Sequence, residues 1–363
     1  MKKSTIISSL PFWTIGAPIG AVLAMIGIGL GWGGVFLIFV SIMLVASVLA
    51  AVHHAEVVAH RVGEPFGTLL LAIAITIIEV ALIVSLMLAG GDEARALARD
   101  TVFAAVMIIL NGMIGICILV GGLKFREQRF GLYGMSAALI TLIAILVLTL
   151  VLPNYTVSTA GPEYNRSQLI FVGLVSLVLY GTFILVQTVR HRDFFLPVTD
   201  NDDREVHAVP PSLRTALVSL ALLVICLAAV VFLAKSLAPT IEDVVVQVGA
   251  PKSVVGVIIA AVVLLPEGLA AFRAAKKNRL QTSLNLSLGS ALASIGLTIP
   301  AVAVVSIIAD LRLTLGIDTK STVLLLLSLF TVMLSFATGR TNMLQGVVLL
   351  VIFSVYLFTT IVP

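Results

Sequence analysis

Residues 69–88 read LLLAIAITIIEVALIVSLML, an unbroken apolar run whose single charged residue, Glu79, falls at its midpoint. As an α-helix a run of that length rises ~30 Å, the thickness of the hydrocarbon layer of a bilayer. An ionised side chain at that depth costs roughly 2.5–3.5 kcal/mol on insertion scales, so it is kept for a use. A second stretch repeats the pattern. Residues 254–272 read VVGVIIAAVVLLPEGLAAF, with Glu267 about five residues, ~7 Å, beyond the middle of its span. Of 18 acidic residues, only Glu79 and Glu267 lie well inside apolar runs.

The rest of the chain has the same character. Sixty per cent of the 363 residues are apolar and 11 % are charged, against ~45–50 % and ~25 % in soluble domains, and mean hydropathy is +1.18. Eleven spans are expected, over about 12–31, 33–53, 67–89, 101–123, 135–152, 167–189, 213–233, 253–272, 283–309, 321–337 and 343–361. The net charge of +4 does not point to nucleic acid, because the Lys and Arg residues fall between or at the ends of the runs. Met1-Lys2-Lys3 precedes a first membrane helix rather than a cleaved signal peptide. Cys117 and Cys226 both sit inside spans and make no disulfide framework. With the N-terminus in the cytoplasm, inside segments hold 15 Lys and Arg and outside segments 7, which predicts N-terminus in and C-terminus out.

Setting aside the first helix (1–32) leaves two sets of five, over 33–190 and 213–363, joined by a polar cytoplasmic loop at 191–212. Five is odd, so a duplicated unit enters the membrane in opposite senses, the inverted-repeat plan of many secondary transporters. Glu56-Val-Val-Ala-His-Arg-Val-Gly63-Glu-Pro65 and Glu242-Asp-Val-Val-Val-Gln-Val-Gly249-Ala-Pro251 both fit E-x-V-x-x-x-V-G-x-P, each just before the span that carries its half's buried acid. The expected fold is all-α and membrane-integral, an extra helix plus two inverted five-helix repeats. In it Glu79 and Glu267 are equivalent, and each is expected to offer one carboxylate to a common cavity.

Carboxylate oxygens are hard ligands that suit Ca²⁺ or an alkali ion. Burial raises a carboxylate's pKa and a bound cation lowers it, so proton and cation compete for one place. That chemistry is cation/proton exchange. The alternative for each acid is a protonated side chain used in helix packing. Pro266 cannot donate to the carbonyl of Val262, which leaves an oxygen near Glu267 or marks a simple kink. Thr76, one turn before Glu79, offers a hydroxyl to an ion or to its own helix. Ser283, Ser287, Ser290, Ser294 and Thr298 share one helix face, with Asn285 and Gly289 near it. A hydrophilic wall of an ion path and a small-residue packing seam both fit that face. Asn111 is its nearest counterpart in the first half. His53, His54, Glu56 and His60 cluster at the expected cytoplasmic end of the second span, with Glu242 in the matching place. Ion access, pH sensing, a metal site and a solvated helix end are the readings for that cluster. The acidic residues 200–205 read as a solvated linker.

Residues 54–83 (HAEVVAHRVGEPFGTLLLAIAITIIEVALI), with LLPEGLAAF (264–272) and NLSLGSALASIGLTIP (285–300), resemble the calcium/cation antiporter superfamily, most closely its bacterial ChaA-type sodium–potassium/calcium–proton branch. The resemblance implies that these stretches are the two alpha repeats, with Glu79 and Glu267 at the acidic positions of the ion site and Ser290 in the Gly-Ser pair of the second repeat. The usual Gly-Asn-Ala-x-Glu is replaced by Thr-Ile-Ile-Glu and Leu-Leu-Pro-Glu. It further implies exchange of Ca²⁺, Na⁺ or K⁺ for H⁺ across a bacterial inner membrane, with no resident cofactor and with ions and lipid as partners. An uncoupled channel or carrier uses the same acids. An intramembrane hydrolase fits less well, since the spans lack Ser-His or His-rich metal patterns.

Overall fold

The computed structural model describes residues 10–63, 66–90, 95–196, 210–247, 249–251 and 253–362, without side chains for 66–69, 71, 72, 89 and 90. It is nearly all helix. In chain order the helices are α1 (Phe12–Gly29), α2 (Phe36–Val62), α3 (Phe66–Gly90), α4 (Leu97–Met107), α5 (Ile114–Phe125), α6 (Leu132–Leu146), α7 (Arg166–Leu185), α8 (Leu213–Gln247), α9 (Ser253–Lys276), α10 (Leu280–Ala309), α11 (Thr319–Phe336) and α12 (Met343–Ile361). A π turn, Ile108–Met113, joins α4 and α5 into one span, Leu97–Phe125. Two short strands, β1 (Glu127–Arg129) and β2 (Arg340–Asn342), pair antiparallel. Ten of these helical stretches are long and apolar enough to cross a membrane, and α3 with its central apolar part Ile73–Leu88 accounts for the eleventh expected span.

Two helices run past their expected ends. α2 continues beyond 53 to Val62, and α8 continues beyond 233 to Gln247. Lys235 and Glu242 therefore lie on a helix and not in a connection, although Lys235 still falls at the end of its apolar run. The reason is that a helix stops where its backbone is turned out, not where its hydropathy falls. Gly63 (φ 79°) caps α2 and Gly249 (φ 74°) follows α8, both in the left-handed region that glycine alone enters without strain. The two halves of the repeated motif thus end their helices by the same device.

The chain divides into two compact units, Met1–Leu86 with Asn201–Val244, and Met87–Asp200 with Val245–Pro363. Each unit draws on both halves of the sequence. In the first, α1 packs on α2 through small residues: Ala17, Ala21, Ala24 and Gly27 are buried, while Ile19, Leu23, Ile26 and Leu30 stay exposed on the other side. Small residues let helices approach closely, and large apolar ones suit lipid. In the second unit the α4–α5 span is the most enclosed, and it is surrounded by α9, α10 and α12. α5 and α12 approach at Gly115, Gly122 and Gly346, where an added Cβ would meet main-chain atoms of the facing helix. Asn165–Gln168 and Asn342–Gln345 form capping boxes at the starts of α7 and α12. The acidic stretch 200–205 and most of the 191–212 loop lie outside the described residues.

Candidate functional site

Both mid-span acids face protein. In the first unit Glu79 is 5 % exposed and Thr76, one turn earlier on the same face, is 6 % exposed. Ile78, Leu82, Ile83 and Leu86 are buried with them, whereas Ile73, Ile77 and Leu88 are exposed on the opposite side of α3. In the second unit Glu267 is 8 % exposed on α9, with Val263, Leu264 and Ala271 buried on the same side. α9 remains helical through Pro266, so the Val262 carbonyl loses its intrahelical donor without ending the helix.

The turn of α9 at Glu267 lies against the π turn. A Cβ on Gly268 would come 3.7 Å from Sδ of Met113, the last residue of that turn. Asn111, within the turn, is completely buried. Its Nδ2 donates to Ser328 Oγ on α11 at 2.8 Å, and its Oδ1 has no hydrogen-bond partner among the described residues. Ser328 Oγ in turn donates to the Leu324 carbonyl at 2.7 Å. A π turn widens the helix and frees backbone oxygens, which is why such turns gather at functional positions. Asn111 thus offers a fixed, buried amide oxygen. Sequence reading missed Ser328 and the π turn. A serine in the middle of an apolar run was the available signal for the first, and no residue signal marked the second.

The polar face of α10 is buried. Ser283, Ser287, Ser294 and Thr298 are at most 4 % exposed, Ser290 is half-buried, and Thr298 Oγ1 has no hydrogen-bond partner among the described residues. Ser287 Oγ donates back to the Ser283 carbonyl at 2.9 Å. Asn285 stands apart from this face. Its Nδ2 donates to the Phe195 carbonyl at 2.7 Å and its Oδ1 accepts from Gln281 at 3.1 Å, so it clamps the start of α10 to the turn after α7.

Within the histidine cluster, His54 departs from the solvated-end reading. His54 is completely buried, and its Nε2 donates to the Thr14 carbonyl of α1 at 3.0 Å. Pro18, four residues after Thr14 and inside α1, has no N–H to give that carbonyl, so His54 supplies the missing donor. Trp13 lies 5.8 Å from the His53 ring. Glu56 and His60 are exposed on α2, and Glu242 is half-buried on α8. Among the described residues no three His, Cys, Asp or Glu side chains group as metal ligands.

A nearly all-helical membrane protein with, among the described residues, one buried carboxylate in each half belongs with membrane transporters, and comparison with known proteins gives the family. The family described as "Sodium/calcium exchanger protein" matches residues 31–189 and 218–362, and the chain belongs to it. A putative ionic transporter, y4hA, of Sinorhizobium fredii is 50 % identical over 88 % of this chain and 87 % of its own length. The sodium-potassium/proton antiporter ChaA of Escherichia coli is 36 % identical over 87 % of this chain and 86 % of its own. Among solved structures, native YfkE has a TM-score of 0.73 at 20 % identity, covering 97 % of this chain and 100 % of that one. The H⁺/Ca²⁺ exchanger CAX has a TM-score of 0.71 at 14 % identity, covering 96 % and 88 %. At those identities the structures establish the fold alone.

Proposed function

We propose that this chain is a secondary antiporter that exchanges Ca²⁺, or Na⁺ or K⁺, for H⁺ by alternating access, with Glu79 and Glu267 binding cation and proton in turn. The observation that carries the reading is the pair of acids. Each half sets one carboxylate near mid-span, on the buried side of the helix behind the same glycine-ended motif. Each acid pays for burial as an anion unless a cation or proton neutralises it, so release of one favours uptake of the other. The names of the relatives support cation/proton exchange.

Thr76, Asn111, Ser290 and Ser294 are the neutral oxygens we assign to the ion or its path, with Asn111 best prepared by its unused Oδ1. Glu56, His60 and Glu242 serve cytoplasmic access, while His54 is committed to α1. The 15 to 7 excess of Lys and Arg supports a cytoplasmic N-terminus and an outer C-terminus. The two five-helix repeats are inverted in this reading, and the membrane is the bacterial inner membrane.

Proteoliposomes with a lumenal pH dye test the proposal. Imposed Ca²⁺, Na⁺ or K⁺ gradients should move protons in the wild type, and each cation applied singly identifies the substrate. Glu79→Gln and Glu267→Gln should each abolish coupled flux in a protein that still folds. Cation flux with no proton dependence points to an uncoupled channel, and either variant running at the wild-type rate removes that acid from the mechanism.

A further inference from the structure

One end of the second unit carries positive charge in a way that span orientation does not explain. Here α5, α9 and α11 finish and α6, α10 and α12 begin, and the three short connections between them are tied together. β1 pairs with β2. Gln128 Nε2 donates to Asn278 Oδ1 at 2.9 Å, and Lys124 Nζ donates to the Lys276 carbonyl at 3.1 Å. Arg126 (φ 67°) and Asn278 (φ 63°) are held in the left-handed region that side-chain-bearing residues avoid.

Arg126 and Lys277 on these connections, and Lys124, Arg273 and Lys276 in the last turns of α5 and α9, are exposed. None of the five forms an ion pair among the described residues. The connections hold one carboxylate, Glu127, and it is taken by Arg340 at 3.2 Å and Arg129 at 3.9 Å. Orienting a span requires only that the cations be present in the loop. It does not require a strand ladder, two left-handed residues and side-chain ties between connections. Fixing five like charges at one end of the unit raises their mutual repulsion, and such an arrangement is relieved by an anion. The position of the surface says which anion. It sits at the ends of six membrane helices, whose terminal turns carry exposed Leu123, Tyr133, Met343 and Leu344.

We propose that this surface binds the headgroups of anionic phospholipids in the leaflet it borders. The cations meet the phosphodiester oxygens and the exposed apolar residues meet the first methylenes of the chains. The proposal needs only that the chain is membrane-integral, and it stands or falls separately from the transport reading.

The test uses the full-length protein in nanodiscs of phosphatidylcholine with a minority of phosphatidylglycerol, and native mass spectrometry of the lipids that stay bound on release. The wild type should retain phosphatidylglycerol several-fold above its share of the disc, and raised salt should reduce the excess. Arg126→Gln/Lys276→Gln/Lys277→Gln should bring the several-fold excess down to the lipid's share of the disc, since ~1 kcal/mol for one interfacial Lys or Arg is already about fivefold. Arg126→Lys/Lys276→Arg/Lys277→Arg should keep it. Should the neutralised protein fail to fold, the wild-type preference and its salt dependence decide alone. No phosphatidylglycerol excess in the wild type at low salt overturns the proposal, as does an undiminished excess in the folded neutralised variant. Displacement of the lipid by pyrophosphate at an ionic strength where sodium chloride leaves it bound would show a soluble anion to be the occupant and overturn it equally.

Discussion

The contact between His54 and α1 gives the prediction with the clearest physical bookkeeping. In α1 the Thr14 carbonyl is buried, and the residue that should donate to it is Pro18. A buried acceptor left unpaired costs about 1–3 kcal/mol, and His54 Nε2 avoids that cost with a bond of 3.0 Å. His54→Phe keeps a ring in the packed site but removes the donor, so it should destabilise the protein by about 1–3 kcal/mol. Pro18→Ala restores an N–H at the position where the helix can use it. In that background the Thr14 carbonyl has its own partner, and His54→Phe should cost only the altered packing. The coupling between the two positions should be about 1–2 kcal/mol. Equilibrium unfolding of the four proteins in one fixed detergent measures it. If the two single effects add to within about 0.5 kcal/mol, the carbonyl was not the link between them and the account is wrong.

The remaining predictions concern stability at positions outside the acids. Gly63→Ala and Gly249→Ala have open space around the new Cβ, so each should cost only the backbone strain of its positive φ, about 1–2 kcal/mol; a thermal shift in one variant and none in the other contradicts the shared helix-ending device. Ser328→Ala strips the 2.8 Å acceptor from the buried Asn111 amide and should lower stability by about 1–3 kcal/mol, which an unchanged melting temperature would rule out. Asp318 caps α11 by accepting from Ser321 N at 2.7 Å. Burial pushes its carboxyl up, but the Ser321 bonds and the charges of Lys320 and Arg99 outweigh this and hold it below the ordinary range. Its charge therefore stabilises the fold above the unfolded value near ~3.9, and that contribution is lost as pH falls through the lower folded value. Asp318→Ala should melt earlier than the wild type at pH 7 and lose most of that difference in strong acid, whereas a difference that persists unchanged there excludes the charge as the cause.

Much of this architecture was legible in the chain itself. Hydrocarbon thickness fixes the length of a span, so the eleven apolar runs could be placed without contacts, and the cost of a mid-span charge singled out Glu79 and Glu267. The motif ending in Gly63 and Gly249 was visible as a repeat, although its purpose, the left-handed turn that ends α2 and α8, was not. Helix ends were misjudged there because hydropathy drops before the backbone turns. The burial of His54 could not be read from spacing for a related reason: α2 carries it past the apolar run and sets it against α1.

Local sequence thus determined what is apolar enough to enter the bilayer and which two acids lie inside apolar runs, since the cost of both follows from transfer free energies that each residue carries with it. Tertiary structure decided which polar groups are satisfied by one another. The pairing of His54 with the carbonyl freed by Pro18, of Asn111 with Ser328 across 217 positions, and of Gln128 with Asn278 depends on helices meeting far along the chain, and hydrogen bonds are too short-ranged and directional for spacing alone to reveal them.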